Sequence, residues 1–172
     1  MENKENKMKE IKIEKVVLSI GGTGEALDKG EKLLNRLTSQ KPARKKSKRR
    51  IPTLGVRPGL EVGCMVTLRG KKALELLRRL LQAVDNKIKE KQISDNTFSF
   101  GVKEYIEIPG VKYQRDIGII GFDVSVTFAR AGKRVIKRKI KRSKIPRKQM
   151  VKREEIIEYL KNKLNVTMLG KK

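Results

Sequence analysis

Two hydrophobic periods alternate along this chain. Residues 11–22, IKIEKVVLSIGG, are rich in β-branched side chains and end in glycine, which predicts a strand. Val16, Leu18 and Ile20 fall on one side of it, and Lys15, Val17 and Ser19 on the other. Residues 24–40 then place Ala26, Gly30, Leu33, Leu34 and Leu37 on one helical stripe. Gly30 weakens that helix but permits close packing. IPTLGVRPG, residues 51–59, holds two prolines and two glycines and reads as an ordered loop or hairpin tip.

The cleanest strand is EVGCMVTLRG, residues 61–70. It puts Val62, Cys64, Val66 and Leu68 on one face and Gly63, Met65, Thr67 and Arg69 on the other. The cleanest helix follows over 71–92, with Ala73, Leu74, Leu77, Leu80, Leu81, Val84 and Ile88 as its apolar stripe. Residues 93–101 carry turn chemistry between aromatics, and 102–110 read as a strand stopped by Pro109 and Gly110. Residues 119–130 alternate again, with Phe122, Val124, Val126 and Phe128 inward and Asp123, Ser125 and Thr127 outward. A short amphipathic helix over 153–164 buries Ile156, Ile157, Leu160 and Leu164.

This order of strands and helices, with strands near 41–69 and 102–130 able to pair as hairpins, predicts an α+β domain. Its sheet is mostly antiparallel and carries helices on one face. The other face would then show Ser19, Thr67, Arg69, Ser125 and Thr127, a small-polar and basic surface suited to an RNA backbone. The expected divisions are a flexible N-terminus over 1–8, an RNA-binding domain over 9–131, and a basic arm with a packed C-terminal helix over 132–172.

Charge sharpens that reading. The 172 residues hold 44 Lys and Arg against 19 Asp and Glu, a formal charge of +25 with no His. Such an excess repels itself unless a polyanion compensates it, most simply nucleic acid. Aromatics make up 4% and Trp is absent, which argues against aromatic stacking on single strands. Structured RNA or DNA held by backbone and shape is the expected partner. Membrane binding is not expected, since no stretch approaches ~18 apolar residues. One cysteine, Cys64, allows no disulfide within the chain and fits a reducing cytoplasm; the polar start MENKENKMKE lacks the apolar core of a secretory signal.

Two basic stretches are candidates for phosphate contact. In KPARKKSKRR, residues 41–50, seven of ten residues are Lys or Arg: Lys41, Arg44, Lys45, Lys46, Lys48, Arg49 and Arg50. A solvated tail would lie near a terminus, whereas this run joins a helix to the best strand. Residues 133–148 hold ten Lys or Arg in sixteen, including Arg134, Lys137, Arg138, Lys139, Lys141 and Arg142. That stretch reads as an arm disordered when free and ordered on RNA.

The chemistry of catalysis is sparse. GGTGEA, residues 21–26, lacks the Lys-Ser/Thr of a phosphate loop, and Leu27 stands at the third-glycine position of a dinucleotide motif. It is better read as a glycine turn that packs a helix on the sheet. Cys64 reads as a core residue, and one Cys with no His gives a metal no ligand set. Asp95, Glu104, Glu107, Asp116 and Asp123 make no recognisable acid/base pair. The expectation is a non-enzyme without metal or cofactor; a free-standing RNA chaperone or DNA-compacting protein is the alternative, and an RNA-directed enzyme using carboxylates is a weaker one.

IEKVVLSIGGTGEA, LTSQKP, VGCMVTLRG, SFGVKEYIEIPGVKY and IGIIGFDVSVTF come in order and near the spacing of a universal large-subunit ribosomal protein family, which the chain resembles. This family is called number five in bacteria and number eleven in eukaryotes. The resemblance spans about residues 9–165, and the basic, helical C-terminus resembles the archaeal and eukaryotic branch. It implies a five-stranded antiparallel sheet with helices, and binding to 5S rRNA and large-subunit rRNA at the central protuberance. It further implies a loop near P-site tRNA, neighbouring proteins of the protuberance, and a bridge to a small-subunit protein.

Carried onto matching positions, the resemblance assigns 5S rRNA contact to Ser19, Gln40 and Thr67, with Lys41 and Arg69 beside them. It assigns the tRNA-facing loop to Leu54, Gly55, Val56, Arg57, Pro58 and Gly59. The chain departs from the family at several points. Ser19 replaces an Asn and loses its amide donor; SQKP replaces GQKP; the glycine turn carries one extra residue; and KKSKRR is more basic than the family's usual segment, implying more phosphate contact and less sequence discrimination there.

Overall fold

The structure is a computed structural model that describes residue 6 and residues 8–170. The expected flexible lead-in, residues 1–8, lies almost wholly outside the described residues. The chain runs β1 (Lys12–Gly21), α1 (Glu25–Thr38), β2 (Ala43–Lys46), β3 (Glu61–Leu68), α2 (Lys71–Gln82), β4 (Lys87–Lys89), β5 (Ile93–Ser94), β6 (Thr97–Val102), β7 (Phe122–Ala129), α3 (Arg134–Lys137), α4 (Arg153–Leu164) and β8 (Thr167–Leu169).

Six of the strands form one antiparallel sheet in the order β2-β3-β1-β7-β6-β5. That is one strand more than the resemblance implied, the sixth being the two-residue β5. A separate parallel pair joins β4 to β8. The alternation holds in the central strands: Val16, Leu18 and Ile20 of β1, Cys64, Val66 and Leu68 of β3, and Phe122, Val124, Val126 and Phe128 of β7 are all buried. These side chains share one core with α1, α2 and α4, so the helices cover a single face of the sheet.

Gly30 shows how closely α1 approaches. A Cβ built there would stand 2.9 Å from Ile20 Cγ2, so a larger residue would push the helix off β1. On the far side of the core, Phe98 stacks on Phe128 with ring centroids 6.1 Å apart, and Phe128 meets Tyr159 of α4 edge-on at 5.4 Å. Through Ile156, Leu160 and Leu164 the C-terminal helix belongs to the same core.

Four expectations are corrected. The helix expected over 71–92 ends at Gln82, because Asp85 and Asn86 take left-handed backbone (φ 53° and 55°) and reverse the chain. Ile88 is indeed buried, but in β4. The strand expected over 102–110 is displaced upstream: Phe98, Phe100 and Val102 alternate inward along β6, and a 3-10 turn, Tyr105–Glu107, follows. The left-handed Asn96 makes the β5–β6 turn. In α1 the buried residue is Leu27 and Ala26 is exposed, and in α2 Leu76 is buried while Leu74 is half-buried.

Candidate nucleic-acid interface

The sheet face opposite the helices is laid out in rows by strand register. One row runs Met65, Ser19, Asp123, Gly101; the next runs Thr67, Val17, Ser125, Ser99; a third runs Lys15, Thr127, Thr97. Every one of these residues is exposed or half-exposed, in contrast to the buried helical side. Ser19 and Thr67 lie on neighbouring strands in adjacent rows, roughly 7 Å apart by sheet geometry. Sequence reading missed Thr97 and Ser99, although their alternation with Phe98 and Phe100 was the available signal.

Gln40 sits at the exposed corner between α1 and β2. Its backbone N–H donates to Thr38 Oγ1 at 3.3 Å, and the Thr38 hydroxyl donates to the Leu34 carbonyl at 2.7 Å. Ser39, where the family carries Gly, adopts φ 51° to close the helix. Since Ala43 faces Met65 in antiparallel register, Gln40 and Lys41 lie toward the Thr67 end of β3. Positions 40 and 67 thus lie toward the same end of the β2–β3 edge, and Ser19 lies on the neighbouring strand β1.

The first basic run is folded. Lys45 and Lys46 belong to edge strand β2, and Lys45, Lys46, Lys48, Arg49 and Arg50 are exposed and make no ion pair among the described residues. Arg44 differs. Its guanidinium donates to Glu31 at 2.7 Å, Asp28 at 2.8 Å and Glu61 at 3.0 Å, tying β2 to α1 and β3. Hydrogen bonds to Glu61 and Glu31 raise its pKa, so it is a fixed cation already matched by the protein's own carboxylates. The first turn of α1 also carries Glu25 and Asp28, which makes this helix start inhospitable to phosphate.

The loop after β2 is braced by a two-way bridge between Ile51 and Val56 around a 3-10 turn, Pro52–Leu54. Of the six residues assigned to tRNA, Val56 turns inward at 7% exposure and anchors the loop, whereas Leu54 stands out at 71%. Gly55, Arg57, Pro58 and Gly59 are exposed.

The second basic stretch is a loop with both ends held. At its start Glu14, whose side chain is 12% exposed, accepts hydrogen bonds from Lys133 and Lys137 and lies 3.8 Å from Arg69. Glu14 occupies the β1 irregularity between Ile13 and Lys15, which aims it toward α3. Burial works to raise its pKa, but the two lysines overcome that and lower it to about 2. At the return, Val151 N–H donates to Asn96 Oδ1 at 2.9 Å, and Arg130 reaches the Lys148 carbonyl at 3.4 Å and the Glu155 carboxylate. Between these points Arg138, Lys139, Lys141 and Arg142 are exposed, without ion pairs among the described residues.

Cys64 is buried in the core, and burial pushes its thiol up. Among the described residues no cluster of His, Cys, Asp or Glu is arranged to hold a metal, and no helix is long and apolar enough to cross a membrane.

The family model for ribosomal protein L5 matches residues 6–57, and the model for the C-terminus of the same ribosomal family matches residues 61–162. The large ribosomal subunit protein uL5 of Nanoarchaeum equitans is 48% identical over 168 residues, covering 96% of this chain and 99% of its own. The proteins of the same name from Methanosphaera stadtmanae and Picrophilus torridus are 44% and 41% identical, covering 88% and 99% of this chain and 90% and 99% of their own. The chain therefore belongs to the ribosomal protein L5 (uL5) family, a family of structural, non-enzymatic proteins.

Proposed function

We propose that this protein is a structural component of the large subunit of the cytoplasmic ribosome, where its open sheet face docks on 5S rRNA. One observation carries the docking assignment. The sheet side left uncovered by the helices bears rows of small polar side chains, and Lys45, Lys46, Lys48, Arg49 and Arg50 beside it make no ion pair among the described residues. A flat, hydroxyl-rich surface can reach RNA sugars and phosphates without steric exclusion. Ser19, Gln40 and Thr67 supply hydrogen bonds to particular RNA groups. Lys45, Lys46, Lys48, Arg49 and Arg50 hold the backbone beside them. The loop over 137–144 enters large-subunit rRNA, and the tip at Leu54 and Arg57 faces P-site tRNA. Contacts with central-protuberance proteins and a small-subunit bridge protein complete the reading carried by the family resemblance.

Ser19 is shorter than the family's Asn, and a water completes its reach to RNA. Arg44 is left out of the phosphate set because three carboxylates already surround it.

The test is selectivity. Thr67→Val and Gln40→Ala are each expected to weaken 5S rRNA binding by roughly 1–3 kcal/mol by leaving an RNA partner unpaired. Binding to a random duplex should scarcely change. Equal losses on both nucleic acids would replace this reading with that of a general RNA chaperone.

A further inference from the structure

A hollow lies at one end of the open face, where β1 and β6 finish and β7 begins, beside the carboxylate that its rows carry. The hollow, about 450 Å3, is bordered by Ser19, Gly21, Gly101, Lys103, Gly121 and Asp123. Gly21 and Gly101 on the open face contribute no side chain to it, and a Cβ at Gly21 would meet nothing within 4 Å. A Cβ at Gly101 would come within 3.4 Å of Asp123 Oδ1, which shows that the carboxylate leans over the β6 backbone into that space. Asp123 faces Ser19 across β1 and Gly101 across β6. It makes no ion pair among the described residues, although Lys15 belongs to the same face.

An ionised carboxylate only accepts hydrogen bonds. On a face that approaches RNA it repels phosphate, so it is unfavourable there unless the RNA brings it a donor. A protein cation is a poor candidate for that donor, because the chain already carries +25 and repels basic partners. RNA loops and bulges present unstacked bases whose Watson–Crick edges are open to side chains. Guanine is the base with two adjacent donors there, N1–H and the N2 amine, matching the two oxygens of a carboxylate. The hollow is an open depression of a size that can seat one base.

We propose that this hollow is a base subsite in which Asp123 accepts hydrogen bonds from the N1–H and N2 amine of one unpaired guanine in the bound RNA. Ser19 stands beside Asp123 on the neighbouring strand β1, and Lys103 at the rim meets the phosphate of that nucleotide. The inference rests on the assignment of this face to 5S rRNA and adds a specificity determinant to it.

The experiment is interference mapping with 5S rRNA transcripts carrying sparse, randomly placed inosine phosphorothioate, which lacks only the guanine N2 amine. Bound and unbound fractions are compared for the unaltered protein, Asp123→Ala and Gly21→Val. Gly21 has nothing within 4 Å of an added Cβ, so a valine there fills the hollow without disturbing the core. The unaltered protein should show interference at one guanine that disappears with Asp123→Ala, and both variants should bind unsubstituted 5S rRNA about tenfold more weakly. An interference map shared by the unaltered protein and Asp123→Ala, with unchanged affinity, overturns the subsite while leaving 5S rRNA docking intact. If the unaltered protein binds 5S rRNA no better than an unrelated folded RNA of the same length, the docking assignment falls and the subsite falls with it.

Discussion

The two basic stretches hold similar charge and are built in opposite ways. The first is a rigid border: β2 is hydrogen-bonded to β3 along the sheet edge, and Arg44 is the bolt that fastens it to α1. Its remaining cations project from a surface whose shape is set before RNA arrives. The second is a tethered loop. Lys133 and Lys137 are bound to Glu14 at one end and Val151 to Asn96 at the other, with an exposed, nearly core-free span between. A preformed border loses little conformational freedom on binding and can fix register. A loop must be ordered at that moment, and it exchanges that cost for reach. Charge density alone does not separate these roles; the position of the carboxylates does.

The largest expected effect breaks the comparison at the loop. Replacing Arg138, Lys139, Lys141 and Arg142 by Gln should lower the slope of log affinity against log salt by about 3 if all four neutralise phosphates. Thermal stability should stay near that of the unaltered protein, because none of the four is buried. An unchanged slope would leave the loop without an RNA role.

Next comes the contrast inside the border. Lys45→Met should reduce the salt slope by about 1 and leave the melting temperature alone. Arg44→Met should do the reverse, since it strands Asp28, Glu31 and Glu61 near one another. Calorimetry alongside salt titration reads both, and a slope loss for Arg44→Met would mean that RNA draws it away from its carboxylates.

A smaller effect concerns the tether. Glu14→Gln should raise tryptic cleavage within residues 133–148 while the sheet core stays resistant. The pH dependence has a definite sign. The folded pKa of Glu14, about 2, lies below its ordinary 4.5, so its contribution is fully present above pH 4.5 and is lost as pH falls through 2. The stability gap between the unaltered protein and Glu14→Gln should therefore be constant at neutral pH and close across that window. A gap that persists at pH 2 would mean that Glu14 acts through packing rather than charge.

The smallest effect lies at the corner that leads into the border. Ser39→Gly relieves a left-handed residue and should stabilise the protein by up to about 1 kcal/mol in thermal or denaturant unfolding, with RNA affinity little changed.

Much of this is legible in the sequence, because period-two alternation assigns side chains to sheet faces whatever the partner strands are. Ser19, Thr67, Ser125 and Thr127 fall on the polar face in that way, and the buried residues of β1, β3 and β7 lie where their pattern puts them. The 71–92 helix reads too long because its apolar period continues past Gln82 in register, while two left-handed residues, which no hydrophobic pattern reports, turn the chain at Asp85 and Asn86. The aromatic segment reads as a turn because Asp95 and Asn96 precede it; those residues make the hairpin, and the strand begins at Thr97.

The sequence by itself determined a sheet with one polar face and a cationic surplus too large to be left without a polyanion. Only the tertiary structure decided which cations that surplus makes available. Lys133 and Lys137 meet a carboxylate 119 and 123 positions away, and Arg44 meets three others, because strand pairing and helix docking bring them together. Ion pairing depends on distance in space and on exposure to water, and neither is encoded in the local spacing of charges along a chain.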